Sequence, residues 1–450
     1  MPLGFTLLAG LPARFVAGSQ GLQVLPALAW LASLALFPVV LHRLSGSALV
    51  ASMGAALAAA APLGAELALR VKHYTLDQLV TVAVLLAMTW LLRERSVPRF
   101  GAWMLALGTG LLLSFSSVFL ATGAVVAALL PIRDGAGDAR SVPVAARSAV
   151  GGAFLAATGA FFLLWVRRAS RPVMVEYWGD FFPASGAGGI LTFLTRRASA
   201  FLGVAVPGWA GIFLLLAPLG LVWLWREGHR AYCVALIVFY ASVLAAAFAR
   251  VYPMGTGRTD AYATPVTALL VCLGASELLR RVASDRGRRA LHAALIAVFA
   301  ASLVARPGPR YPRTDDRAAV EWASARLTDQ DALLLSPYAA FAEGYYGGRP
   351  IRLAPADYYG HGFDVVSERP RTLTTALGRW DVADARGLEE ERRRLASFVD
   401  SAPARLLYVE TQGTPSTRAT ILRTITEGGL RLAERTAFGG PAEAFVFVRE

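Results

Sequence analysis

The chain has 450 residues, of which 56% are hydrophobic and only 17% charged, where soluble domains carry about 25% charged residues. Mean hydropathy is +0.50, and the shortage of charge falls almost entirely before Arg306, which excludes a wholly soluble architecture. The net charge of +13 comes from arginines that border hydrophobic runs, such as Arg93, Arg95 and Arg99. This pattern fits helix ends anchored in anionic headgroups, not a nucleic-acid face.

Pro2–Val16 contains Pro12 and Arg14 and lacks a basic start followed by a clean apolar core, so it does not read as a signal peptide. About 20 apolar residues cross a bilayer as a helix, and on that ruler ten spans follow. They lie near 23–42, 47–65, 75–92, 101–115, 117–131, 148–166, 208–225, 231–249, 262–280 and 290–305. The Ala-rich run 47–65 suits close helix packing, and the pair meeting at Ser114–Ser117 is short enough to bend or re-enter. Cys233 and Cys272 lie within hydrophobic runs as small packers, with no metal-ligand spacing and no disulfide framework. Ten spans put both ends of this chain on one side, but Lys and Arg number 14 on one set of loops against 13 on the other, so charge bias does not orient them. The second set is longer and richer in aromatic and acidic residues, as a working face would be.

Two loops of that second set concentrate chemistry. Arg70–Asp77 holds the only lysine, Lys72, with His73, Tyr74 and Asp77. His73 and Asp77 are four apart and share a helix face. Ionisable groups this near a membrane are functional candidates unless they serve only as interfacial anchors and a helix cap, and spacing alone supports both readings. Arg250–Tyr262 combines Gly255 and Gly257, which allow a tight turn, with Arg258, whose planar fork suits phosphate oxygens. Thr259 or Asp260 is placed to cap the next helix, and Asp260 to orient Arg258. An anion site at a helix start and a tight hairpin with a snorkelling arginine are both consistent with this loop.

From about Asp315 short strands and helices alternate, predicting a small α/β layered domain. Helices are expected over 316–327, 388–399 and 416–427, a short helix or turn over 341–346, and strands over 332–335, 351–353, 406–409 and 444–448. Tyr358–Phe363 reads as a flexible aromatic loop, in which His361 is more simply solvated than substrate-binding. The fold class is thus an α-helical polytopic membrane protein, residues 1–305, with a C-terminal small α/β soluble domain, residues 306–450.

Several segments in order resemble the GT-C superfamily of polytopic glycosyltransferases, which includes the protein mannosyltransferases and aminoarabinose transferases. They are Pro2–Leu11, Lys72–Asp77 (similar to a Lys-x-Tyr-x-x-Asp segment), Ser114–Phe119 with Ser117 where a histidine is common, the aromatic loop Glu176–Phe182, and Tyr252–Asp260. The resemblance covers about residues 1–305. It implies a polyprenyl-phosphate sugar donor, a lipid, glycan or protein acceptor, membrane lipids as surroundings and no nucleic acid. It implies a bacterial inner membrane location, with these loops and the C-terminal domain outside the cytoplasm as part of the cell envelope. Substrate contacts are then expected from Lys72, His73, Tyr74, Tyr177, Trp178, Tyr252, Arg258 and Asp260. No metal ligand is assigned, and a divalent metal is left open as a cofactor. The family's further N-terminal span and first acidic loop have no counterpart after Met1, and Arg70 stands where an acid is common. The general base is therefore expected upstream of a start assigned too late, with Asp77 and Glu66 as candidates within the chain. A catalytically inactive accessory protein is the alternative, and a transporter fits less well because the spans carry few midplane charges.

Overall fold

Alanine and leucine dominate the apolar runs, and both are strong helix formers. The computed structural model describes residues 3–15, 19–61, 64–68, 72–91, 97–130, 143–161, 163–164, 178–203, 214–282, 284–304, 315–353, 363–365, 367, 369–377, 385–411 and 413–449. By their internal contacts the chain divides into two units, Met1–Arg306 and Pro307–Glu450.

Every regular element among the described residues of the first unit is helical. Its helices are α1 (Leu3–Gly10), α2 (Ser19–Ser45), α3 (Ala48–Ala60), α4 (Gly64–Ala68), α5 (Tyr74–Leu91), α6 (Val97–Leu113), α7 (Ser117–Leu129) and α8 (Val144–Phe161). There follow α9 (Ala187–Phe193), a π-helical turn at Leu194–Ala198, α10 (Ser199–Leu202), α11 (Leu216–Arg226), α12 (Arg230–Phe248), α13 (Ala263–Arg280) and α14 (Asp285–Val304). Among the described residues, Gly21–Ser45, Arg230–Phe248 and Ala263–Arg280 are long and apolar enough to cross a bilayer alone. Shorter apolar helices at Ala48–Ala60, Tyr74–Trp90 and Ser117–Leu129 accompany them.

Three spans differ from the sequence reading. The run 47–65 is broken: α3 ends at Ala60, and Ala61 turns to φ −52°, ψ 128°, because Pro62 disfavours helical geometry in the residue before it. The run 148–166 starts earlier, at Val144, and its described α-helix closes at Phe161. Only residues 214–225 of the run 208–225 are described, and regular helix begins at Leu216. The helix–π–helix rod from Ala187 to Leu202 was not anticipated, since its apolar residues are interrupted by Thr192, Thr195, Arg196 and Arg197.

Small residues set the packing. α13 is buried nearly all round, as a helix without a polar face must be. A Cβ on Gly274 would lie 1.9 Å from the Leu216 carbonyl oxygen, and one on Gly220 would lie 2.2 Å from that of Leu270. α11 and α13 therefore touch backbone to backbone. Gly123 of α7 meets Ala235 of α12 in the same way, at 2.2 Å. Small residues that let backbones approach are how helices associate in lipid, where apolar burial alone gives little preference. The C-terminal end of α13 is tied to α11 by Arg226 and Glu277, 2.7 Å apart. Its N-terminal end receives the glycine-rich loop.

The second unit opens with α15 (Asp316–Arg326), β1 (Ala332–Leu335), α16 (Ala339–Tyr346), β2 (Ile351–Leu353), β3 (Phe363–Val365) and β4 (Arg371–Thr374). It closes with α17 (Ala385–Asp400), β5 (Arg405–Glu410), α18 (Pro415–Glu427), β6 (Leu430–Ala437) and β7 (Glu443–Arg449). The main sheet has the order β4-β1-β5-β7-β6, and β2 pairs with β3 separately. β1 runs parallel to β4 and β5, while β7 runs antiparallel to β5 and β6. Alternation along β1 and β5 sends Leu334, Leu406 and Tyr408 to one core and Leu333, Leu335, Leu407 and Val409 to the other, as a sheet covered on both faces requires. β3, β4 and β6 were missed in sequence: the first two have three and four residues, and β6 is mostly exposed. Phe363, read as part of a flexible loop, opens β3, and His361 lies outside the described residues.

Candidate active site

The two loops that the sequence marked converge at one place. Lys72 is exposed and His73 partly so, while Tyr74, Thr75 and Asp77 are buried at the start of α5. The Asp77 amide donates to the His73 carbonyl at 2.9 Å, which starts the helix, and His73 Nε2 lies 3.6 Å from Asp77 Oδ2. The His73 ring also stands 4.9 Å from Tyr74 and 6.1 Å from Phe5 of α1, centroid to centroid. Burial, reinforced by nearby positive charge including Lys72, pushes the imidazole down to about 4. His73 is therefore neutral at pH 7.

The turn between α6 and α7 closes the site from the side. Ser114 and Ser116 share a hydroxyl–hydroxyl hydrogen bond of 3.1 Å, and Ser117 Oγ donates to the Ser114 carbonyl at 2.7 Å. The first two hydroxyls face the Asp77 carboxylate. Serine side chains satisfy the backbone at this break between two helices that are each too short to span alone.

The glycine-rich loop supplies the third wall. Gly255 and Gly257 adopt φ of +77° and +86°, conformations that favour glycine, and a Cβ on Gly255 would lie 2.6 Å from the Arg197 carbonyl oxygen. The Tyr252 hydroxyl donates to the Thr259 carbonyl at 3.0 Å. Its ring meets Phe119 edge-on at 5.2 Å and Tyr262 at 6.0 Å. Burial and the charges of Asp77 and Asp260 push the Tyr252 phenol well above its ordinary range. The first loop and the second come together where α5 packs against α13 and Tyr252 rests on Phe119 of α7.

Asp260 corrects an expectation. It does not cap α13, whose N-cap position is Tyr262 with no side-chain bond. Its carboxylate turns back to accept the Gly257 amide at 2.8 Å and the Thr256 hydroxyl at 3.3 Å, because the chain closes a 3-10 turn at Arg258–Asp260 before the helix begins. Burial raises this carboxyl to about 7, against the amide donors that lower it. Thr259 bonds within the loop to Thr256 instead of capping. Arg258 places its guanidinium 6.0 Å over the Trp178 ring.

Of the remaining candidates, Glu66 sits half-buried on α4, and Tyr177 lies outside the described residues. Sequence reasoning did not single out Phe119, Tyr262 or Arg197. The paired arginines Arg196-Arg197 in an apolar stretch were the signal for the last. An apolar cavity of about 560 Å³ adjoins the site at Phe119 and Tyr252 and runs between Leu111, Phe115, Leu155 and Ala246. Asp77 Oδ1 and Asp260 Oδ1 are buried without a hydrogen-bond partner among the described residues, which suits groups that meet a substrate. No cluster of three or more His, Cys, Asp or Glu able to hold a metal occurs among the described residues. The arrangement offers buried carboxylates, cations at the rim and an apolar chamber beside them.

No protein-family model and no curated protein matches this chain. Its structure resembles that of ArnT from Cupriavidus metallidurans in the apo state, with a TM-score of 0.55 at 13% identity, over 99% of this chain and 87% of that one. ArnT from the same organism bound to undecaprenyl phosphate gives a TM-score of 0.53 at 14% identity, again over 99% and 87%. The chain therefore shares the fold of ArnT over nearly its whole length.

Proposed function

We propose that the chain is a membrane glycosyltransferase that moves a sugar from a polyprenyl-phosphate donor to an acceptor hydroxyl at the external face of a bacterial inner membrane. The observation that carries this reading is the apolar chamber that reaches Tyr252 in the Arg258 loop, with α5, which bears Asp77, packed against α13, in a chain with the fold of a protein solved with undecaprenyl phosphate. An isoprenoid tail is apolar and its phosphate is anionic. A chamber lined by leucine, phenylalanine and alanine next to a cationic loop is complementary to both parts.

In inverting transfer a carboxylate accepts the acceptor proton while the charge growing on the departing phosphate is compensated. Asp77 is the better placed of the two carboxylate candidates: it lies at the start of the helix that packs against α13 and keeps a buried oxygen with no hydrogen-bond partner among the described residues. Arg258 takes the phosphate side, with Lys72 at the rim. Neutral His73 lies against Asp77 and orients it. Trp178 supplies a surface for the sugar, and Asp260 fixes the loop that presents Arg258. The sugar is a hexose or pentose, and the acceptor is a lipid, glycan or protein; residues 306–450 form an extracytoplasmic unit.

The test is transfer of labelled sugar from undecaprenyl-phosphate-linked donors by the full chain in nanodiscs. Arg258→Ala is expected to insert normally and to lose about a hundredfold in turnover, the scale of removing one donor to a developing anion. Unchanged turnover would refute the role given to Arg258.

A further inference from the structure

Arg197 lies in the π-helical turn Leu194–Ala198, a geometry that recurs at functional positions because it redirects a side chain. Buried phenylalanines hold the rod on either side of it: Phe193 packs on Phe248 at 5.9 Å, and Phe201 on Tyr262 at 6.2 Å. Between these anchors the Arg197 guanidinium lies 4.0 Å over the Phe181 ring, and its Nε donates to the Asp180 carbonyl at 2.9 Å. Its own backbone carbonyl is the group that leaves room only for a glycine at position 255. The Met254 amide donates to the Phe181 carbonyl at 3.3 Å, which joins the aromatic loop to the glycine-rich loop. Phe181 in turn meets Trp178 edge-on at 5.4 Å, and Trp178 underlies Arg258.

We infer that Arg197 is a positioning residue that staples the aromatic loop Trp178–Phe182 to the glycine-rich loop, and so fixes Trp178 against Arg258 for an anionic lipid headgroup. The inference rests on the phosphate role proposed for Arg258. It needs both features of arginine: the planar face stacks on Phe181 while Nε–H reaches a carbonyl, and lysine has neither a plane nor a donor at that point. Arg197 does not touch the headgroup.

The experiment titrates undecaprenyl phosphate into the full chain in nanodiscs, for wild type, Arg197→Ala, Arg197→Lys, Arg258→Ala and the Arg197→Ala/Arg258→Ala double variant. Arg197→Ala is expected to weaken binding about tenfold, and Arg197→Lys to recover little of it. In the Arg258→Ala background Arg197→Ala is expected to cost nothing more, the signature of two residues acting through one another. Full rescue by lysine, additive losses, or wild-type affinity in Arg197→Ala would each overturn the proposal. Amide hydrogen exchange gives a readout independent of the lipid: Arg197→Ala is expected to speed exchange at Met254 several-fold. If wild type binds no undecaprenyl phosphate, the donor reading fails, and Met254 exchange then decides the staple alone. An unchanged rate there overturns it.

Discussion

Gly274→Ala adds one carbon where α11 and α13 touch. That Cβ would stand 1.9 Å from the Leu216 carbonyl oxygen, 2.7 Å from its carbon and 3.0 Å from the Gly220 amide nitrogen. All three are backbone atoms, so no side chain can swing aside and the helices must part by about 1 Å, which forfeits roughly a quarter to a half of each dispersion contact along the seam. Overpacking of this kind costs about 1–3 kcal/mol, and an unyielding backbone argues for the upper end. Alanine's better helix propensity returns about 1 kcal/mol, leaving a net loss of about 2 kcal/mol. Gly152→Ala is the control: it lies exposed on α8 with nothing within 4 Å of the added carbon, and is expected to gain up to about 1 kcal/mol. Denaturant unfolding of both variants in mixed micelles measures the difference. Equal stability of the two would refute the backbone contact between α11 and α13.

Two further outcomes test the loop and the second unit. Asp260 holds its proton up to about pH 7 in the folded chain but releases it near 3.9 when unfolded. Folded protein therefore binds the extra proton between those values, and its stability falls as pH rises from about 4 to about 7, by at most about 4 kcal/mol. Asp260→Asn should flatten that part of the stability–pH profile, and an identical profile would contradict the burial assigned to this carboxyl. In the second unit, Arg418 bonds both Glu410, which is fully buried, and Glu443 at 2.7 Å. Arg418→Ala strands the buried Glu410 carboxylate, while Glu443 keeps Arg435 at 3.0 Å, and should cost about 3 kcal/mol. Arg392→Ala, which breaks only an exposed pair with Glu389 at 3.8 Å, should leave protease resistance of residues 315–449 unchanged.

The helices and the boundary between the units were legible because composition changes sharply near residue 305 and helical hydropathy is a strong signal. Within the second unit, β1, β5 and β7 were found because they are continuous buried runs such as Ala332–Leu335. β6 was not, since a sheet edge facing water has no apolar pattern to read. The candidate site was partly legible: unusual residues marked the loops around Asp77 and Arg258. Their convergence was not, because Asp77 and the glycine-rich loop are distant in sequence and come near each other only once α5 packs against α13. Asp260 was read as a helix cap by spacing, but two positive-φ glycines upstream let the chain fold back onto it. Arg197 escaped notice because its importance depends on a π turn, which no residue pattern announces.

Binding of undecaprenyl phosphate to the purified full chain, measured side by side with uncharged undecaprenol, tests the proposed function most directly. The account predicts saturable binding of the phosphate, much weaker binding of the alcohol, and at least a tenfold loss of phosphate affinity in Arg258→Ala. Equal affinity for the two lipids, or none for the phosphate, would contradict it.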